Sequence, residues 1–355
     1  MVGDLESAAA GLITVGFPGK TLGPELERLL ARGVGGVVLF KRNVGSAREL
    51  AELVRDVKRR AGRPLVVAVD QEGGAVARFR EGFTTVPPMR ELGATRDAEL
   101  ARAVGRVIGS ELSAVGVDLD FAPVLDVDTN PDNPVIGARS FDREPGVVAE
   151  LGIALACGLM DTGVAPCGKH FPGHGDTHQD SHHELPRLSH DMNRLCAVEL
   201  VPFAAAVHAE FPAMMTAHVV LEALDAELPA TMSRAVVGLL RRELGFRGVV
   251  FTDDVDMKAI ADHFAVEDVA RSCLEAGVDA FLCCQDVEVA HRMIDALVAL
   301  VKSGAVAESR FAEAGERMRK LADRWAKPPL ETFDLSVLAC DVHRAVMDRI
   351  SNRKT

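Results

Sequence analysis

The segment GKHFPGHGDTHQDSHHELP, residues 168–186, carries five of the chain's eleven histidines together with Asp176 and Asp180. His170, His174, His178 and His182 are spaced by four, which on a helix would make a metal-binding stripe. Pro172, Gly173 and Gly175 prevent that helix, so the segment reads as a loop and the spacing loses its meaning. A loop this long and polar is more often functional than structural. Within it, His174, His178 and His183 are read as holding the loop in shape. Asp180 and His182 lie two apart, so in an extended loop they point the same way. A carboxylate beside an imidazole favours the protonated ring, which is what a general acid near neutral pH needs. An ordinary Asp–His hydrogen bond fits the spacing equally well.

Three further segments carry charge beside apolar runs. FTDDVDM, 251–257, places three acids after a strand-like run. Asp253 and Asp254 face opposite ways if the strand persists, so one of them at most faces inward as a nucleophile or base. Asp254 or Asp256 could instead cap the next helix. VAVDQEGGAVARF, 67–79, ends a strand with Asp70, an acceptor suited to sugar hydroxyls. Its Gly73-Gly74 lacks the further residues of a phosphate loop. NPDNPVIGARSF, 130–141, is a Pro- and Asn-rich loop whose Arg139 matters if it shares a mouth with Asp70 and Lys169.

Positioning these groups requires strands that end at one face. Eight apolar runs fall at 12–17, 36–40, 64–70, 117–126, 164–171, 213–220, 248–254 and 279–284. Amphipathic helical patterns follow most of them, and several end in glycine. Ser46–Gly62 and Asp97–Gly116 are the clearest. Eight β/α units in series predict a single-domain α/β fold, a (β/α)8 TIM-type barrel with its chemistry at the C-terminal ends of the strands. An open doubly wound sheet is the alternative. Helical stretches at about 307–327 and 336–350 are read as C-terminal helices packed on the barrel. The expected division is a catalytic barrel over 1–305 and these helices over 306–355.

The net charge of −12 argues against nucleic acid or an anionic membrane as partner, since both require a basic surface. Seven cysteines without a CxxC pair read as reduced thiols. The N-terminal stretch is acidic where a signal peptide is basic, and no run approaches a membrane span. The chain therefore reads as cytoplasmic. Aromatic residues make up 5%, with one Trp and no Tyr, which leaves few stacking platforms for a pure sugar-binding module.

KHFPGHGDTHQDSH, FAPVLDVDTNPDNPVIGARSF, VVAVDQEGGAVARF, LFKRNV, MMTAHVVLEALDAELPATMS and GVVFTDDVDM together resemble glycoside hydrolase family 3, over roughly residues 11–300. The likeness is to its bacterial β-N-acetylglucosaminidase branch, used in peptidoglycan recycling. It implies a lone (β/α)8 barrel needing no metal and no cofactor, with a carbohydrate partner; the oligomeric state stays open, with a monomer expected. It implies Asp253 as nucleophile and Asp180–His182 as a dyad with His182 as general acid/base. Asp70, Arg78, Arg139, Lys169 and His170 would hold the N-acetylglucosamine. Ala75 departs from the family's common Arg in QEGGRV, which puts a contact at the site's rim in doubt. The implied reaction is retaining hydrolysis through a glycosyl-enzyme. The aglycone stays open among an anhydromuramyl peptide, a muropeptide and a chitin fragment. Phosphate could replace water as acceptor, because a histidine acid adds no second negative charge. A metal-dependent hydrolase and a non-catalytic sugar-binding protein are the rival readings.

Overall fold

The computed structural model describes residues 2–178 and 185–352. Its centre is a closed barrel of eight parallel strands: β1 (Ile13–Val15), β2 (Gly36–Leu39), β3 (Val66–Val69), β4 (Leu119–Asp120), β5 (Ala165–Phe171), β6 (Ala213–Thr216), β7 (Val249–Asp254) and β8 (Ala280–Cys283). Each strand pairs with its neighbours in chain order, and β8 closes on β1 through Ile13–Phe281, Thr14–Leu282 and Val15–Cys283. All eight apolar runs of the sequence supply a strand. Every strand residue is buried except Asp253 and Asp254, as expected for strands covered on both faces. The closed barrel, and not the open sheet, is the fold.

Helices on the outside return the chain between strands, and the local chemistry explains their bounds. The helix Ala47–Ala61 starts at Ser46, whose side chain accepts from Glu49 N while Glu49 reaches back, and Gly62 ends it in the left-handed region. Such a cap contributes about 1 kcal/mol. Its inward stripe is Leu50, Ala51, Leu53, Val54 and Val57. Asp97 caps Ala98–Ala114 by accepting from Leu100 N. That helix packs tightly on Pro145–Asp161, and glycine makes the approach possible. A Cβ on Gly105 would lie 2.1 Å from Leu155 O, and one on Gly158 would lie 2.2 Å from Arg102 O.

The N-terminal ends of the strands carry charges that are fully partnered. Asp279, just before β8, is completely buried. It pairs with Arg241, with Arg310 at 2.7 Å and with Arg317 at 3.1 Å, and accepts from Val250 N at 3.0 Å. Asp118, just before β4, takes Lys58 Nζ at 2.7 Å, Val67 N at 2.9 Å and Lys327 N at 2.9 Å.

The C-terminal helices are Glu308–Trp325 and Asp341–Asn352. The second starts five residues later than expected, because residues 336–339 form a turn. The buried Glu111 carboxylate accepts from Ala339 N and pairs with His343 Nδ1, both at 2.8 Å, so this turn and helix lie on Ala98–Ala114. Among the described residues no helix is long and apolar enough to cross a membrane.

Candidate active site

A pocket of about 280 Å³ opens at the C-terminal mouth of the barrel, close to the lower end of the range for small-ligand sites. Asp70, Arg78, Arg139, Lys169, His170 and Asp253 all line it, so six of the eight expected site residues meet in one place. Asp180 and His182 lie outside the described residues, as does His183.

Two ladder irregularities deliver the chemistry. The register of β5 against β6 shifts between Gly168 and Phe171, and that of β7 against β8 shifts between Phe251 and Asp254. Regular alternation sends consecutive side chains to opposite faces, and an irregularity suspends it. Lys169 and His170 both reach the pocket, and so do Asp253 and Asp254. The expectation that the two aspartates point apart is therefore corrected.

Neither Asp254 nor Asp256 caps the following helix, Lys258–Ala261, whose N-cap is Met257. Both instead clamp the loop after β8. Asp254 Oδ1 accepts from Cys284 N at 3.0 Å, and Asp256 Oδ2 from Gln285 N at 2.7 Å. Burial, with Asp256 alongside, pushes the Asp254 carboxyl up to about 7.

The cations are neutralised by carboxylates before any ligand arrives. Lys169 Nζ lies 2.7 Å from Asp70 Oδ1 and 2.7 Å from Glu72 Oε1. Arg78 Nη2 is 3.1 Å from Asp70 Oδ2. Arg139 forks onto Glu72 through two 2.8 Å bonds, so its guanidinium is chiefly a partner of Glu72. Burial alone would raise both carboxyls. The attraction of Lys169 with Arg78 more than offsets it at Asp70, and Lys169 with Arg139 does so at Glu72, which falls to about 2. Burial likewise disfavours the Lys169 ammonium, and the two carboxylates overcome that and hold it charged.

Asp253 is half-buried, and its Oδ1 accepts from Asp254 N at 2.8 Å. Burial pushes its carboxyl up, but the imidazoles of His170 and His218 pull harder, and the group lies below the usual range. His218 sits behind it, with Nε2 3.0 Å from Asp254 O and Nδ1 2.9 Å from Thr231 Oγ1.

His170 presents its Nδ1 to Asp126 Oδ2 at 2.7 Å, which leaves Nε2 for the pocket. His174 also reaches the pocket. Its backbone N donates to Asp126 at 2.7 Å, its Nδ1 is 2.7 Å from Thr177 Oγ1, and burial keeps the ring neutral, down to about 4. His178 Nδ1 meets Asn130 Nδ2 at 3.2 Å. These contacts fit the loop-holding role expected of His174 and His178.

Sequence reasoning missed Glu72 and Asp126. Glu72 stands two residues after Asp70, the spacing that puts two carboxylates on one side of an extended chain, and that signal was available. Asp126 ends the apolar run FAPVLD, but its partner His170 is 44 residues away and the spacing is silent about it.

A closed parallel barrel with ionised carboxylates and cations gathered at its C-terminal mouth is the construction of a barrel enzyme. The model of the glycosyl hydrolase family 3 N terminal domain matches residues 5–321. A β-hexosaminidase of Thiobacillus denitrificans is 44% identical over 268 residues, 74% of each chain. The structure of a glycoside hydrolase family 3 β-N-acetylglucosaminidase from Paenibacillus sp. superposes with a TM-score of 0.93 at 40% identity, over 98% of this chain and 68% of that one. NagZ from Neisseria gonorrhoeae in complex with N-trifluoroacetyl-D-glucosamine gives 0.81 at 32%, over 97% and 98%. The chain belongs to glycosyl hydrolase family 3 and is a glycosidase.

Proposed function

We propose that the protein is a retaining hydrolase that removes terminal β-linked N-acetylglucosamine from peptidoglycan fragments or related N-acetylglucosaminides. The observation that carries this reading is an ionised Asp253 at the end of β7, lining one pocket with Asp70, Arg78, Lys169 and His170. The β-hexosaminidase relatives and the glucosamine analogue bound to the Neisseria protein support the choice of sugar.

In the first step an Asp253 oxygen attacks the anomeric carbon, and the bond to the aglycone oxygen breaks. His182, protonated and held by Asp180, gives its proton to that oxygen. In the second step water attacks the same carbon, His182 takes a proton from it, and Asp253 leaves. Asp70 and Lys169 hold the ring hydroxyls, each charged hydrogen bond contributing about 1.5–3 kcal/mol.

The test compares an aryl β-N-acetylglucosaminide with the matching aryl β-glucoside, with and without phosphate. Hydrolysis of the first, weak action on the second and no glycosyl phosphate are expected. Equal rates on both sugars, or a sugar phosphate as product, would overturn the reading. His182→Ala is expected to slow a poor leaving group about 100-fold more than an activated one. Equal losses would remove His182 as the acid.

A further inference from the structure

Asp120, the last residue of β4, is completely buried and lies outside the set that lines the pocket. Its Oδ1 accepts from Gln71 N at 2.9 Å. Its Oδ2 is buried and has no hydrogen-bond partner among the described residues. The charged groups facing it are Lys169 from β5, Asp70 just after β3 and Glu72 in the hairpin that follows; the buried Cys167 thiol of β5 also feels it.

Gln71 relays this contact. Its Nε2 donates to Phe79 O at 2.8 Å, and its Oε1 accepts from Arg78 N at 2.8 Å and Phe79 N at 3.1 Å. The chain from Asp120 through Gln71 thus fixes the hairpin of Gln71–Gly73 and Val76–Ala77, which is bracketed by Asp70 and Arg78 and contains Glu72.

Resting on the reading of the site given above, we propose that Asp120 is a positioning residue that works as a neutral acid. Its Oδ1 sets the Gln71 peptide so that Asp70 and Glu72 straddle Lys169, and its Oδ2 keeps a proton.

The proton matters because of the neighbours. A third carboxylate beside Asp70 and Glu72 would compete for Lys169, which already bridges those two. A buried carboxyl with no cation of its own stays neutral. Consistent with this, burial pushes Asp120 up to about 8. Ionisation at higher pH would draw Lys169 away from the sugar-binding carboxylates, so substrate affinity is lost as pH rises past that value.

The experiment measures kcat and KM of the full chain on an aryl β-N-acetylglucosaminide, from mildly acidic to alkaline pH, for wild type, Asp120→Asn and Asp120→Ala. For wild type, KM is expected to rise about tenfold per pH unit above the Asp120 value, with a smaller change in kcat. Asp120→Asn keeps an acceptor for Gln71 N, so its neutral-pH KM is expected within about threefold of wild type and the alkaline rise disappears. Asp120→Ala leaves the buried Gln71 N–H without a partner, and its KM is expected to rise at least about tenfold at neutral pH.

An alkaline rise that persists in Asp120→Asn overturns the proposal. So does an Asn variant as impaired as the Ala variant, or an Ala variant with wild-type KM. If wild type does not turn over the substrate, the reading of the site falls, and Asp120 is judged separately. An infrared carbonyl stretch of a buried protonated carboxyl, seen at neutral pH and lost in Asp120→Asn, supports the neutral acid. Its absence from wild type overturns it.

Discussion

Replacing Asp253 by Ala is expected to lower kcat/KM for an aryl β-N-acetylglucosaminide by on the order of 10⁴-fold or more, with the fold intact by circular dichroism. The carboxylate at the end of β7 is held ionised by the imidazoles of His170 and His218, against the cost of its own burial. An ionised, half-buried oxygen at the pocket wall has what a nucleophile requires, a lone pair with little water to shed. On the retaining mechanism proposed above, no covalent intermediate forms without it, and the general acid alone cannot complete the reaction. A small anion such as azide, filling the vacated space, is expected to restore turnover of an activated substrate and give a glycosyl azide of inverted configuration. Loss of only about tenfold in the Ala variant would assign the nucleophile elsewhere.

Replacing Asp279 by Ala is expected to do the opposite, destabilising the fold by about 3–5 kcal/mol while sparing the chemistry of the molecules that stay folded. Asp279 is the shared partner of Arg241, Arg310 and Arg317 at the N-terminal end of β8. Removing it leaves three guanidinium groups crowded together, with Val250 N losing its acceptor as well. Burial already pushes Arg241 down to about 10, so this charge pays heavily for losing its carboxylate. A drop in melting temperature of roughly 6–15 °C, with KM and kcat unchanged well below it, is the expected result. An unchanged melting temperature would show that the cluster contributes nothing. The two variants separate the ends of the barrel, chemistry at the C-terminal mouth and stability at the base.

The strands were legible because each is an apolar run bounded by turn residues, and a run buried on both faces leaves a plain mark. Helix ends were legible where a side chain caps them, as at Ser46 and Asp97. Of the six pocket residues, Asp70, Lys169, His170 and Asp253 were legible as strand-end polar groups, Arg139 as a loop residue that could share their mouth, and Arg78 only as a match to a known family. What stayed hidden depends on register. Nothing in TDD announces that β7 slips against β8, so Asp253 and Asp254 were expected on opposite faces. The Asp126–His170 pair and the Glu72–Arg139 fork join distant segments, 44 and 67 residues apart, and spacing along the chain carries no trace of them. The turn over 336–339 was merged into a helix because its composition, SVLA, does not break one.

In the pocket, Asp70, Glu72 and Asp253 stand against Lys169, Arg78 and Arg139, three charges of each sign, with Asp254 beside them as a carboxyl pushed up to about 7. Such an arrangement has strong local dipoles and almost no monopole, so its field dies within a Debye length, about 8 Å at physiological salt. An uncharged ring is therefore neither summoned nor repelled from a distance. A neutral aryl β-N-acetylglucosaminide is expected to be recognised on contact rather than steered from a distance, with kcat/KM little changed by added salt.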